Sequence, residues 1–144
     1  MSNALELDAA THEAIKTLCA EGDRLARAKS HEAAVAEYNK AWMLVPEPKS
    51  NWQASTWILA AIADACFLSG YKTSAREALE YAMTCPGAIG NSFLHLRLGQ
   101  VLLDIGEEAG AADELMRAYM GGGAEIFSSE EPHYLVFLAT KAKL

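Results

Sequence analysis

The chain has 144 residues, of which 51% are hydrophobic and 22% are charged, a composition typical of soluble globular proteins and not of disordered ones. Its 12 Lys and Arg residues against 19 Asp and Glu residues give a formal net charge of −7. Such a chain is a poor binder of duplex DNA, because that binding needs clustered cations to displace the counterions of the phosphates. A basic protein partner is compatible with this charge.

The sequence also argues against export, membrane insertion and a disulfide framework. The first residues show no basic segment followed by an apolar one, so no secretory signal is predicted. The longest apolar stretch, 57–68, is interrupted by Asp64 and is shorter than the roughly 20 residues of a membrane span. The three cysteines are odd in number and form no Cys-x-x-Cys pair, which indicates free thiols in a reducing compartment. We therefore expect a cytoplasmic protein that does not associate with membranes.

Helical periodicity and punctuation by small residues predict an all-α chain. The predicted helices cover residues 9–28, 31–45, 51–69, 73–84, 92–105 and 107–119, followed after Gly121–Gly123 by a last helix that ends near residue 141. Ser50 and Gln53 have the spacing of a capping box at the start of the third helix. Ser129 is expected to cap the last helix, with Pro132 in its first turn.

Marker residues recur three times along the chain, with gaps of 12, 4, 3 and 5 residues. The three series are Gly22, Ala34, Tyr38, Ala41 and Pro46; Ala63, Ala75, Leu79, Ala82 and Gly87; and Gly99, Ala111, Leu115, Ala118 and Gly123. Two antiparallel helices approach closely only where small residues meet, so the first marker of each series is predicted to lie midway along a first helix. The large third marker shares a face with the alanine before it and is expected to fill the gap to the next unit.

These series resemble the tetratricopeptide repeat, a helix-turn-helix unit of about 34 residues. The resemblance implies a right-handed all-α solenoid of three repeats, about 12–48, 51–87 and 91–123, within a single domain of residues 1–144. A C-terminal capping helix, about 129–142, would cover the last hydrophobic face; the alternative is a helix that docks on a partner. The tryptophan that the family usually places early in the first helix is replaced by Leu18, Leu59 and His95.

In this family the first helices line a concave groove that holds an extended peptide or a helix. Carried over to this chain, the resemblance implies a groove of aromatic anchors and isolated charges formed by Lys16, Asp23, Arg27, Trp57, Asp64, Phe67, Phe93, Arg97 and Gln100. The aromatic residues are candidate hot spots, and packing between units is their alternative role. Cys19 and Asp23 stand where some members carry the Lys and Asn of a carboxylate clamp, so binding of heat-shock chaperone tails is not expected.

No catalytic or metal-binding constellation is predicted. Two His-Glu pairs, at positions 12 and 31, begin like a zinc HExxH motif, but Lys16 and Val35 stand in place of the second histidine. No phosphate-binding loop is present, and neighbouring carboxylates on a helix diverge by about 100°. We therefore expect neither an enzyme nor a bound cofactor or metal.

The negative charge is concentrated in one stretch. Residues 104–131 hold eight acidic residues and one basic residue, while the rest of the chain is balanced. A predicted acidic face for a partner comprises Asp104, Glu107, Glu108, Asp113 and Glu114. A solvated end of the solenoid is the alternative.

Together these features predict a non-catalytic protein–protein interaction module. The stretches 44–62, 85–100 and 118–127 are also similar to small standalone bacterial tetratricopeptide proteins, some of which accompany secreted toxins as immunity proteins. The specific hypothesis is a protein that binds and neutralises a basic toxin domain. The alternatives are a secretion chaperone that holds a peptide or helix of its cargo in the groove, and a homo-oligomeric scaffold. Nucleic-acid binding is not expected, because the basic residues form no stripe.

Overall fold

The computed structural model describes residues 7–144, and within this range the chain is helical with no strand. The helices are α1 (Ala9–Arg27), α2 (His31–Leu44), α3 (Gln53–Leu68), α4 (Lys72–Ala82), α5 (Ser92–Asp104), α6 (Glu108–Gly122) and α7 (His133–Lys141), with short 3-10 turns at Lys49–Asn51 and Ala124–Phe127. The predicted all-α class is confirmed, and the predicted bounds of α1 to α5 agree to within two residues. None of the described helices is both long and apolar enough to span a bilayer.

The helices pack as consecutive pairs, α1 with α2, α3 with α4, and α5 with α6, and α2 also packs on α3. The described residues up to Gly87 form one compact unit, which contains α1 to α4. Ala88–Leu144 form a second compact unit, which contains α5 to α7. The predicted repeats 12–48 and 51–87 thus fall in the first unit and the repeat 91–123 in the second. That the whole chain is a single domain stays a prediction.

The small markers allow the helices of a pair to approach closely. A Cβ on Gly22 would lie 2.5 Å from Cε1 of Tyr38, and a Cβ on Gly99 would lie 2.7 Å from Cδ2 of Leu115. The alanine markers of α2, α4 and α6 are fully buried. The close approach is therefore confirmed, but Tyr38 and Leu115 first fill the space against the glycine of their own pair. The sequence predicts that these two side chains fill the gap to the next unit, and that prediction does not include their contact with the glycine of their own helix pair.

The connection from α2 to α3 is held by side chains that bond to backbone carbonyls. Nζ of Lys49 donates to the carbonyls of Trp42 and Val45 at 2.6 and 2.8 Å. Nε1 of Trp52 donates to the carbonyl of Pro46 at 2.8 Å. The predicted capping box at Ser50 is wrong, because this residue lies in the 3-10 turn and α3 begins only after Trp52.

The C-terminal segment differs from its prediction at the end of α6 and at the start of α7, whereas α7 ends at Lys141 as predicted. Gly121 and Gly122 belong to α6, and Gly123 caps its C-terminus with a φ of 68°, a conformation that favours glycine. Ser129 does not cap α7, which begins at His133. The helix α7 packs against α6 and buries Tyr134 and Leu138. This burial agrees with the predicted covering role, which stays a prediction for the solenoid as a whole.

Candidate functional site

A concave cavity of about 150 Å³ opens between α1 and α3 in the first unit. Its lining, here called the α1–α3 cavity, comprises His12, Ile15, Lys16, Cys19 and Asp23 of α1, Tyr38 of α2, and Ala54, Trp57, Ile58 and Ala61 of α3. Ile15 and Ile58 are buried in its walls, whereas the Trp57 side chain stays 58% exposed. A large aromatic side chain beside a mostly apolar concave surface is typical of a binding site.

One wall of the cavity carries a carboxylate whose orientation is fixed. The hydroxyl of Tyr38 donates to Oδ1 of Asp23 at 2.6 Å. The Tyr38 ring reaches this position because Gly22, one residue before Asp23, has no side chain to displace it. Burial is the main cause that raises the pKa of Tyr38, and the hydrogen bond to Asp23 is the second cause. The phenol therefore stays protonated and donates to the carboxylate at neutral pH.

Replacing Tyr38 by Phe is expected to reduce the loss of stability in alkaline solution. A tyrosine in the unfolded chain ionises near pH 10, about its ordinary pKa, whereas the pKa of Tyr38 in the folded chain is raised. The folded state holds the proton more tightly, so this contribution is fully present below about pH 10 and is lost as the pH rises above it. The melting temperature of Tyr38→Phe should therefore fall less than that of the unchanged protein between about pH 9 and pH 11.

Circular dichroism during heating measures this difference. Tyr81→Phe, which changes an exposed tyrosine of α4, is the matched control and should follow the unchanged protein. Equal losses of melting temperature for Tyr38→Phe and the unchanged protein would show that the Tyr38 proton is not held more tightly in the folded state.

Two further polar residues of the cavity are Lys16 and Cys19. Nζ of Lys16 lies 4.0 Å from Oε1 of Glu13 on the same helix, and both side chains are mostly exposed. Burial, and next the charge of Asp23, raise the pKa of the Cys19 thiol. Since the thiolate is the reactive form, this shift lowers the reactivity of the Cys19 thiol at neutral pH.

Three of the residues predicted for the groove meet at this cavity, and three others of the first unit do not. Lys16, Asp23 and Trp57 line it together. Arg27 lies at the C-terminus of α1; Asp64 and Phe67 lie further along α3, outside the lining. The ammonium group of Lys72 lies 4.2 Å from the centre of the Phe67 ring, so this ring packs against a cation of its own unit.

Two of the residues predicted for the groove in the second unit are hydrogen-bonded within that unit. Nη1 of Arg97 donates to Oε1 of Gln100 at 2.7 Å and to Oε1 of Glu130 at 2.6 Å. Nε2 of Gln100 donates to the same Glu130 oxygen at 2.9 Å. Gln100 is fully buried and Arg97 is only 6% exposed, so these side chains form an internal cluster and not an open surface. Phe93 keeps an exposed edge, with the guanidinium of Arg97 5.1 Å from its ring centre.

Most of the predicted acidic face has partners within the second unit. The hydroxyl of Tyr134 donates to both carboxylate oxygens of Asp104, at 2.9 and 3.0 Å, and burial, then Asp104, raise the pKa of Tyr134. Exposed ion pairs join Asp113 to Arg117 at 3.2 Å and Glu108 to Lys141 at 3.8 Å. Glu107 is exposed just before α6.

Glu114 is not on the open acidic face. Its side chain is 19% exposed, and its Oε1 lies 2.7 Å from Nδ1 of His95. The other ring nitrogen of His95 accepts from the backbone N–H of Gly90 at 2.9 Å, which assigns the ring proton to Nδ1. His95 is therefore a buried, hydrogen-bonded link between α5 and α6. The role of Glu114 in binding a partner stays a prediction, and its carboxylate is partly buried against His95.

The part of the chain that the structure describes contains no grouping of three or more His, Cys, Asp or Glu side chains that could hold a metal ion. The described helices pack in pairs, and the α1–α3 cavity of the first unit has a mostly apolar lining. No family model matches the sequence, and no curated protein sequence matches it.

Among solved structures, the chain is similar to the Hsp90 co-chaperone Cns1 from Saccharomyces cerevisiae, with a TM-score of 0.69 and 18% sequence identity. The likeness covers 92% of this chain but only 39% of that protein, so this chain spans well under half of its length. At this identity the likeness is one of fold. It confirms the predicted class, an all-α fold of tetratricopeptide-like helical repeats.

Proposed function

We propose that this protein is a non-catalytic interaction module that binds a segment of another protein at the α1–α3 cavity. The observation that supports the proposal is Trp57, a mostly exposed tryptophan beside an apolar cavity whose wall carries the oriented carboxylate of Asp23. Buried interface tryptophans are frequent hot spots, and they bind in concave, water-excluding surroundings. The proposed partner is another protein, and the proposed location is the cytoplasm. We also propose that the chain belongs with the small standalone bacterial tetratricopeptide proteins.

Trp57→Ala is expected to weaken binding of the partner by roughly 30-fold or more, as for a hot-spot residue. The partner is first identified as the protein that co-purifies with the unchanged chain from its native host, and its affinity is then measured by calorimetry. Met43→Ala removes another exposed apolar side chain, from α2 and outside the cavity, and should leave the affinity unchanged. A partner that binds Trp57→Ala as tightly as the unchanged chain would contradict the proposal.

A second candidate is an immunity-type protein that neutralises a basic toxin domain through the acidic stretch. The observation that favours it is the placement of eight acidic residues and one basic residue in 104–131. Glu107 and Glu108 are its best candidates, because both are exposed at the start of α6. The reversals Glu107→Lys and Glu108→Lys should slow association with a basic partner and reduce its dependence on salt, since exposed charges mainly steer encounter.

The remaining alternatives are separated by simple measurements. A secretion chaperone would hold its cargo at the α1–α3 cavity, so the Trp57→Ala variant would release the cargo while the reversals at Glu107 and Glu108 would not. A homo-oligomeric scaffold would sediment as an oligomer at micromolar concentration. A monomer at that concentration would remove the scaffold hypothesis.

A further inference from the structure

Resting on the proposed function, we propose that the α1–α3 cavity selects a partner segment with one large apolar side chain and a nearby Lys or Arg. The apolar side chain fills the cavity beside Trp57, and the basic side chain pairs with Asp23. The cavity thus recognises a basic, amphipathic segment of another protein.

The apolar part of this preference follows from the walls and the volume. Ile15, Ala54 and Ile58 are buried around a cavity of about 150 Å³. A cavity of about this volume has room for a molecule the size of benzene. One Leu, Met or Phe side chain therefore matches the space, and the exposed Trp57 ring provides a surface against which it is buried.

The basic part follows from the charges that face the cavity. The titratable side chains in its lining are His12, Lys16, Cys19, Asp23 and Tyr38. Lys16 has Glu13 as a neighbour of opposite charge, and burial raises the pKa of Cys19, which keeps the thiol neutral. Asp23 is an exposed carboxylate that receives one hydrogen bond, from Tyr38 at Oδ1. Because a carboxylate accepts up to about four hydrogen bonds, it can also accept from a guanidinium or an ammonium group.

A phage library of random 12-residue peptides, selected on the full chain, tests the inference. We expect enriched peptides to share a Leu, Met or Phe within one helical turn of a Lys or Arg. Ala61→Met places a longer side chain in the cavity, and it should weaken the enriched peptides roughly tenfold or more, as blocking a central pocket does. Ala36→Met, on the exposed side of α2 in the same unit, is the matched control and should not.

The charge preference is tested by a double-mutant cycle. Asp23→Asn should weaken an enriched peptide roughly fivefold, the effect of one exposed ion pair, and should have no further effect once the basic residue of the peptide is replaced by Gln. Thermal unfolding of each variant checks that the fold is kept. Enrichment of acidic peptides, no enrichment, or undiminished binding to Ala61→Met would overturn the inference. The proposed function fails separately, when the co-purified partner binds Trp57→Ala with unchanged affinity.

Discussion

Glu130→Ala is expected to lower the free energy of unfolding of the second unit by about 3 kcal/mol, because it removes one member of a buried ion pair. Both Arg97 and Gln100 donate to Oε1 of Glu130. Without that carboxylate, the guanidinium of Arg97 loses its short contact while it remains almost entirely buried. Urea denaturation followed by far-ultraviolet circular dichroism measures the change.

The matched control is Asp113→Ala, which removes an acid from the exposed pair with Arg117. Exposed pairs contribute about 0–1 kcal/mol, so this variant should be nearly as stable as the unchanged protein. Replacing both charges, in Arg97→Met with Glu130→Leu, should recover much of the loss, since apolar residues of similar volume often substitute for a buried pair. Equal stability of Glu130→Ala and Asp113→Ala would contradict the role assigned to the buried cluster.

Gly99→Ala is expected to destabilise the second unit by about 2 kcal/mol through overpacking between α5 and α6. The added Cβ would lie 2.7 Å from Cγ and Cδ2 of Leu115 and 3.0 Å from its backbone nitrogen. The side chain can shift, but the backbone of α6 must move as well. This strain exceeds the roughly 1 kcal/mol that alanine gains over glycine inside a helix.

Gly110→Ala is the control for the higher intrinsic helix propensity of alanine relative to glycine. Gly110 also lies inside a helix of the second unit, and its Cβ would meet Cδ1 of Leu102 at 3.2 Å, the end of a flexible side chain. This variant should be neutral or slightly stabilised in chemical denaturation. The prediction fails if both alanine variants gain stability.

The helix pairs could be predicted because one physical requirement repeats along the chain. Gly22 and Gly99 meet a large side chain 16 residues later in sequence, and that spacing is visible without coordinates. The caps of α3 and α7 could not be predicted in the same way. Ser50 has the spacing of a cap, but bonds from Lys49 and Trp52 to distant carbonyls fix the turn instead.

The candidate site was predictable in part for the same reason. Lys16, Asp23 and Trp57 belong to first helices of consecutive pairs, so the resemblance to the repeat family indicates a shared face. The burial of Arg97 and Gln100 was not predictable, because their partner Glu130 lies about 30 residues away in an irregular segment. The link from Glu114 to His95 likewise joins two helices at positions that share no local pattern.

The contact between Gly22 and Tyr38 ties the spacing of a helix pair to the chemistry of the cavity. The residue that lets α1 and α2 approach also lets the Tyr38 hydroxyl reach Asp23, the acid that faces the cavity. A larger side chain at position 22 would displace the ring and release the carboxylate in a single step. The stability of the first unit and the orientation of Asp23 therefore depend on the same contact, and a sequence change that relaxes the helix pair also alters the wall of the cavity that we propose as the binding site.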